Sequence, residues 1–289
     1  MKEDNLNTSR LTHNTFHLTH NTSFHILIAE DNPINMLVIR THLEKMGFRI
    51  IEAVNGKEAV RKYTENDIAL IFMDIHMPEM NGFEATRKIR EYEAGTADYA
   101  DDTDKKHTPI IALTADAFSD DKNKCLSEGM DFYLSKPFGP EEIVNVIQRF
   151  MSDKSESVSK DSSDVGANNY SPLPQIFDRD GFLYRIGGNT KILDELLPMF
   201  IERFPKDLSV LSSFIEKQDL KEIHLQAHSL RGMCLTIGAE VLADFAKKIE
   251  HIAHHNGSIE EIKSLSELLA PAFREFCEEA GKYQPCDRG

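Results

Sequence analysis

Four short apolar runs each end on residues that could do chemistry. Residues 26–29 lead into Glu30 and Asp31, 68–73 into Asp74, 109–113 into Thr114 and 132–135 into Lys136. If these runs are strands of one open parallel sheet, the polar side chains meet in the crevice outside the strands' carboxyl ends, where such sheets bind ligands. Three neighbouring carboxylates are costly unless neutralised, and a bound Mg²⁺, which prefers oxygen ligands, relieves them. Thr114 and Lys136 would then neutralise phosphoryl oxygens while the Asp74 carboxylate attacks in line. A second candidate lies far along the chain, in Ala227-His228-Ser229-Leu230-Arg231-Gly232. On a helix, residues i+3 and i+4 share a surface with residue i, so Arg231 and Gly232 flank His228. The pattern predicts an imidazole pointing outward and able to act as a nucleophile. Arg231 would hold a phosphoryl group on the ring. Glycine in an exposed helix costs about 1 kcal/mol relative to alanine, and the missing Cβ of Gly232 would let another protein's active-site loop approach.

The elements that must position these residues follow from periodicity. From His25 to about Met151, short apolar runs alternate with amphipathic segments of helix length, the pattern of βα units around a parallel sheet. The reading is strand 26–29, helix 34–46, strand 49–53, helix 56–65, strand 68–73, helix 82–92, strand 109–114, helix 119–128, strand 132–135 and helix 140–151. Run 68–73 is the most apolar of the strands, as a central parallel strand buried on both faces should be. Residues 93–107 are acidic and apolar-poor and read as a solvated loop. Past the linker the period becomes helical throughout, with helices near 190–216, 219–236, 239–256 and 258–281, for which a bundle is the simplest architecture. The fold expected is therefore α/β plus all-α: a doubly wound five-stranded parallel sheet followed by a four-helix bundle.

The chain divides accordingly into a disordered tail at 1–24, an α/β domain at 25–151, a flexible linker at 152–175, a helical domain at 176–283 and a short tail at 284–289. The Ser-, Lys- and Asp-rich linker leaves the two halves to move as separate bodies. The first tail repeats Leu-Thr-His-Asn-Thr at 11–15 and 18–22 and is too polar to bury a core. Its histidines match no defined metal-site spacing, and His251, His254 and His255 read as a solvated helix face.

Composition excludes several classes. Across 289 residues the formal charge is −15, which opposes a nucleic-acid backbone, so no nucleic-acid partner is expected. No apolar run reaches bilayer-spanning length and no signal peptide is evident, so no membrane insertion is expected and the location read is cytoplasmic. The four cysteines are scattered and suggest reduced thiols.

Residues 25–150 resemble the receiver domain of two-component response regulators. The matching motifs are Ile28-Ala29-Glu30-Asp31-Asn32, Met73-Asp74-Ile75-His76-Met77-Pro78, Asn81-Gly82, Ala112-Leu113-Thr114-Ala115 and Tyr133-Leu134-Ser135-Lys136-Pro137-Phe138. The resemblance implies a flavodoxin-like fold with Asp74 as phosphoacceptor. Mg²⁺ would be held by Asp31, Asp74 and the main-chain carbonyl of His76, with Glu30 acting through water. Thr114 would meet the phosphoryl group and Lys136 pair with it, while Thr114 and Tyr133 move together on phosphorylation. A cis bond before Pro137 is also implied. Residues 176–281 resemble the histidine-containing phosphotransfer (HPt) domain, on His228-Ser229-Leu230-Arg231-Gly232, Ile237-Gly238-Ala239 and the stretch from Leu242 to Ile249-Glu250. His228 is then the phosphorylated residue, with Arg231 where the family usually has lysine.

Together the resemblances imply a phosphorelay intermediate. No stretch after residue 152 offers the glycine-rich boxes of an ATP-binding kinase domain, so the chain reads as a phosphoryl carrier and not as a kinase. A partner sensor or hybrid histidine kinase would supply the phosphoryl group to Asp74. Exchange with His228, in cis or in trans, would pass it to a downstream response regulator. The alternative is a non-catalytic docking module or phosphate sink; modules of that kind lack the acidic pair, the acceptor or the lysine, all present here.

Overall fold

Strand β3 (Ile68–Asp74) is buried along nearly its whole length, and the sheet is built outward from it. The computed structural model describes residues 25–96, 107–114, 119–151 and 174–282. Both predicted tails and most of the predicted linker lie outside them. β1 (His25–Ala29) and β4 (Ile110–Thr114) flank β3, with β2 (Arg49–Ala53) and β5 (Phe132–Ser135) at the edges. All pairings are parallel, in the order β2-β1-β3-β4-β5. The chain winds to one side of β1 and then to the other, so the switch point, where a ligand crevice opens, lies between β1 and β3.

Helices α1 (Pro33–Lys45) and α5 (Pro140–Met151) cover one face of the sheet through Met36, Ile39, Leu43, Ile143, Val146 and Ile147. Helices α2 (Gly56–Glu65), α3 (Gly82–Thr96) and α4 (Ser119–Ser127) lie on the other side, where Ala59, Tyr63, Ala85, Ile89 and Cys125 join the core. Local chemistry starts these helices where the sequence predicts. Asn32 Oδ1 accepts from Ile34 N at 3.0 Å with Pro33 following, and Asn55 Oδ1 accepts from Glu58 N at 2.8 Å. One expectation fails. α3 runs on to Thr96, and Glu93 is buried against Tyr63, Thr108 and Arg90, so the start of the expected solvated loop is structural.

The helical half comprises α6 (Arg179–Arg185), α7 (Thr190–Glu216), α8 (Leu220–Ile237), α9 (Glu240–His254) and α10 (Ile259–Gly281). The last four are the expected bundle. Aromatic rings fill its centre, with Phe204 stacked on Phe273 at 4.7 Å and Phe200 edge-on to Phe276 at 5.1 Å. Gly238 ends α8 in the left-handed region at φ +88°, and its N–H bonds Cys234 O. No helix among the described residues is long and apolar enough to cross a membrane.

The two halves pack together where separate bodies were expected. The cause is α1, which buries residues on both sides. Met36, Ile39 and Leu43 face the sheet, while Ile34, Leu37 and Val38 belong to the apolar core of the helical half. A helix that is apolar around most of its circumference needs a second partner, and α7 and α8 supply it.

Candidate functional site

The carboxyl ends of the strands bring the predicted acidic residues together. One ligand oxygen from each of Glu30, Asp31 and Asp74 lies within 4.8 Å of the others. Lys136, just past β5, sets Nζ 2.6 Å from Glu30 Oε2 and 2.6 Å from Asp74 Oδ2. The Lys136–Pro137 bond is cis. Asn35 Nδ2 donates to Glu30 Oε1 at 2.9 Å, and His76 N donates to Asp74 Oδ1 at 3.1 Å. Thr114 is buried at the end of β4, with its carbonyl accepting from Lys136 N and its register partner Ser135 beside it.

One ammonium does not neutralise three carboxylates. Burial pushes Glu30 up to about 8, with Lys136 opposing and Asp74 and Asp31 adding to the rise. Burial likewise pushes Asp31 up to about 6, Asp74 adding to it. For Asp74 burial also raises the pKa, but Lys136 and then His228 outweigh it and hold the carboxyl below its ordinary value. Lys136 is raised, its burial outweighed by Asp74 and Glu30. An all-oxygen donor set with excess negative charge fits a hard divalent cation such as Mg²⁺.

His228 sits on α8 with Nδ1 2.6 Å from Glu250 Oε1, and Arg231 Nη1 bonds the other oxygen of Glu250 at 3.0 Å. Burial raises Glu250, yet the hydrogen bond and charge of His228, with Arg231, hold it down at about 2. An ionised carboxylate only accepts, so His228 Nδ1 carries the proton, and in the neutral ring the lone pair is on Nε2.

The two sites meet. The rings of His76 and His228 are 4.1 Å apart, tilted at 52°, and His224 stands edge-on to His76 at 5.7 Å. Burial, with His228 next, pushes His76 down to about 3. Asn35 links the halves: it donates to Glu30, and its Oδ1 accepts from Thr236 Oγ1 on α8 at 2.7 Å. A Cβ on Gly232 would lie 3.5 Å from Asn35 Nδ2.

The family model "Response regulator receiver domain" matches residues 26–148. The model "Hpt domain" matches residues 195–281. The chain joins a response regulator receiver domain to an Hpt domain. The Sensor protein GacS of Pseudomonas syringae pv. syringae is 26% identical over 235 residues, 80% of this chain and 25% of that protein. The Aerobic respiration control sensor protein ArcB of Escherichia coli K12 is 27% identical over 229 residues, 79% of this chain and 28% of that protein. The chain thus spans about a quarter of the length of these sensor proteins. Among solved structures, the receiver domain of sensor histidine kinase PA1611 from Pseudomonas aeruginosa, with a magnesium ion coordinated in its active-site cleft, is 38% identical over 44% of this chain and 97% of that one, at a TM-score of 0.38. A co-crystal structure of the Saccharomyces cerevisiae protein Ypd1 with the receiver domain of Ssk1 matches at 33% identity over 45% of this chain and 89% of that one, at a TM-score of 0.40.

Within the receiver, Glu30, Asp31, Asp74 and Lys136 converge as the sequence predicts, and His76 adjoins them. Tyr133 is half-buried on β5, packed on the side of the sheet that carries α2 and α3. In the Hpt domain two expectations are corrected. His228 faces out of the bundle onto the receiver but is only 5% exposed, because the receiver covers it. Arg231 lies beside His228 as expected and bonds Glu250. The space at Gly232 is taken by Asn35 of the same chain, not by another protein. Glu250, Asn35 and the side chain of His76 are absent from the sequence-based site. Only Glu250 left a signal, as a lone charge between apolar Ile249 and Ala253 on a buried stripe.

Proposed function

We propose that the chain is a phosphorelay intermediate of two-component signalling. Asp74 accepts a phosphoryl group from a partner histidine kinase and exchanges it with His228, from which it passes to a downstream response regulator. The contact between the Asp74 pocket and His228, bridged by the His76 ring at 4.1 Å, is the observation that carries this reading. The sensor proteins among its relatives support the same class of partner.

Glu30, Asp31 and Asp74, with the main-chain carbonyl of His76, would hold Mg²⁺, which supplies positive charge against the phosphoryl oxygens. The remaining work falls to this chain's own groups. The His76 N–H fixes one oxygen of Asp74. Lys136, already between Glu30 and Asp74, pairs with the phosphoryl group as it arrives, and Thr114 meets it from β4. Thr114 and Tyr133 are the pair that moves on phosphorylation. In the Hpt domain Glu250 orients the imidazole, and Arg231, beside it, stabilises the phosphorylated ring.

The test is phosphorylation by acetyl phosphate with Mg²⁺ in the wild type, Asp74→Ala and His228→Ala, read by intact mass and acid lability. Acid-labile phosphate on His228 that vanishes in Asp74→Ala supports the relay. If neither residue is labelled, the reading falls in favour of a docking module.

A further inference from the structure

The receiver and the Hpt domain touch at more than the two reacting residues. Ile34, Leu37 and Val38 of α1 are part of the Hpt core. Asn35 joins Glu30 to Thr236. A third group of contacts lies at α6. His42 Nε2 donates to the carbonyl of Arg185 at 2.7 Å. A Cβ on Gly139, which follows Lys136-Pro137-Phe138, would come within 2.4 Å of Tyr184 Cε1, so that glycine is what admits the tyrosine ring. A Cβ on Gly187, held at φ +63°, would stand 3.3 Å from His42 Cε1. These α6 contacts fall before residue 195, outside the part of the chain that matches the Hpt family.

We propose that the partner of His228 is the receiver of its own chain, and that Tyr184 through Gly187 are the element that selects it. This deepens the phosphorelay reading and rests on it. In the step itself, Nε2 of neutral His228 donates its lone pair to phosphorus and the N–P bond forms. The P–O bond to Asp74 breaks, and the carboxylate leaves with the electron pair. The ring, now bearing a substituent on Nε2 and a proton on Nδ1, is cationic and stays bonded to ionised Glu250. Total charge is unchanged, and no further reactant is needed once an acyl phosphate or a kinase phosphohistidine has loaded Asp74.

Apolar α1 contacts alone would fit a generic docking face. The α6 contacts add discrimination, because a receiver with a bulky residue at the position of Gly139 would meet Tyr184. A tethered pair also has an effective concentration in the millimolar range, far above a dissolved partner at about 1 µM.

The experiment mixes full-length Asp74→Ala with full-length His228→Ala at about 1 µM, supplies acetyl phosphate and Mg²⁺, and follows His228 label against the wild type. The mixture, restricted to transfer in trans, should label His228 about a thousandfold more slowly than the wild type, whose rate should not depend on protein concentration. Equal rates overturn the cis proposal while leaving the relay intact. Label on Asp74 that never reaches His228 in the wild type overturns it also. An unlabelled Asp74 overturns the phosphorelay reading beneath it. Tyr184→Ala and Tyr184→Glu test the selecting element: both should leave Asp74 labelling unchanged and slow its passage to His228 about tenfold, a change of about 1.4 kcal/mol. Unchanged passage in both variants removes α6 from the account.

Discussion

His228 Nδ1 lies 2.6 Å from Glu250 Oε1, a carboxylate 22 residues away on the neighbouring helix and held ionised by the partners it touches. The pair decides which ring nitrogen is the nucleophile. Glu250→Gln keeps size and shape but offers an amide that can turn its N–H₂ toward Nδ1, moving the proton to Nε2. His228 labelling should fall about 10- to 100-fold, the usual cost of losing a partner that orients a working histidine, with Asp74 labelling unchanged. Ring ¹⁵N shifts should report loss of the Nδ1–H form. A variant that keeps that tautomer and the wild-type transfer rate would refute the role.

Gly82 opens α3 directly against the acceptor strand. A Cβ there would stand 2.2 Å from the Asp74 carbonyl oxygen and 3.0 Å from Ile75 Cα, both backbone atoms that cannot swing aside. Gly82→Ala should therefore displace Asp74, destabilise the receiver by about 1–3 kcal/mol and reduce acetyl phosphate labelling at least about tenfold. Gly95 on the same helix meets nothing within 4 Å. Gly95→Ala should be neutral or stabilising by up to about 1 kcal/mol. Urea melts of the two variants make the comparison, and similar losses in both would contradict it.

Glu93 closes the far end of the receiver. Its Oε1 accepts from Tyr63 Oη at 2.7 Å and from Thr108 N at 2.9 Å, and its Oε2 pairs with Arg90 at 2.7 Å. Removing a buried charge that satisfies three donors should cost about 2–4 kcal/mol in Glu93→Ala. Chemical denaturation measures it, and a loss below about 1 kcal/mol would mean that the segment tolerates solvent.

Much of this molecule was legible in the sequence because its strands are short apolar runs that stop on the residues that form the pocket. Ile68 through Met73 could be read as a central strand, and Asp74 at its end was thereby aimed at the crevice. The Hpt helices showed a clear 3.6-residue period. What stayed hidden depends on contacts between distant segments. The run Ile34 to Ile39 supports one core face or two, and only the docked bundle shows that α1 has two. Helix α6, at 7 residues, is too short for its period to register. The burial of His228 follows from where the receiver sits, which no feature of α8 specifies.

His42 ties the interface to pH. Its Nε2 must donate to the Arg185 carbonyl, which leaves Nδ1 on the side of Gly187 and Lys45. Burial lowers its pKa below the ordinary 6.5, the carbonyl bond opposes the fall, and the charge of Lys45 adds to it. When the halves separate, His42 returns to water and to its ordinary value. The undocked state therefore binds the proton more readily, and docking weakens as pH falls through 6.5 toward the lower docked value. Well above 6.5 the contribution is fully present. His76 and His224, both lowered by burial at the same interface, act in the same direction. Fluorescence energy transfer between dyes on the receiver and the Hpt domain, followed from about pH 8 to about pH 5.5 at fixed salt, should show loss of docking on acidification. His42→Gln keeps an N–H donor for Arg185 but does not titrate, so its profile should be shallower. Superimposable profiles would show that His42 does not couple docking to protons.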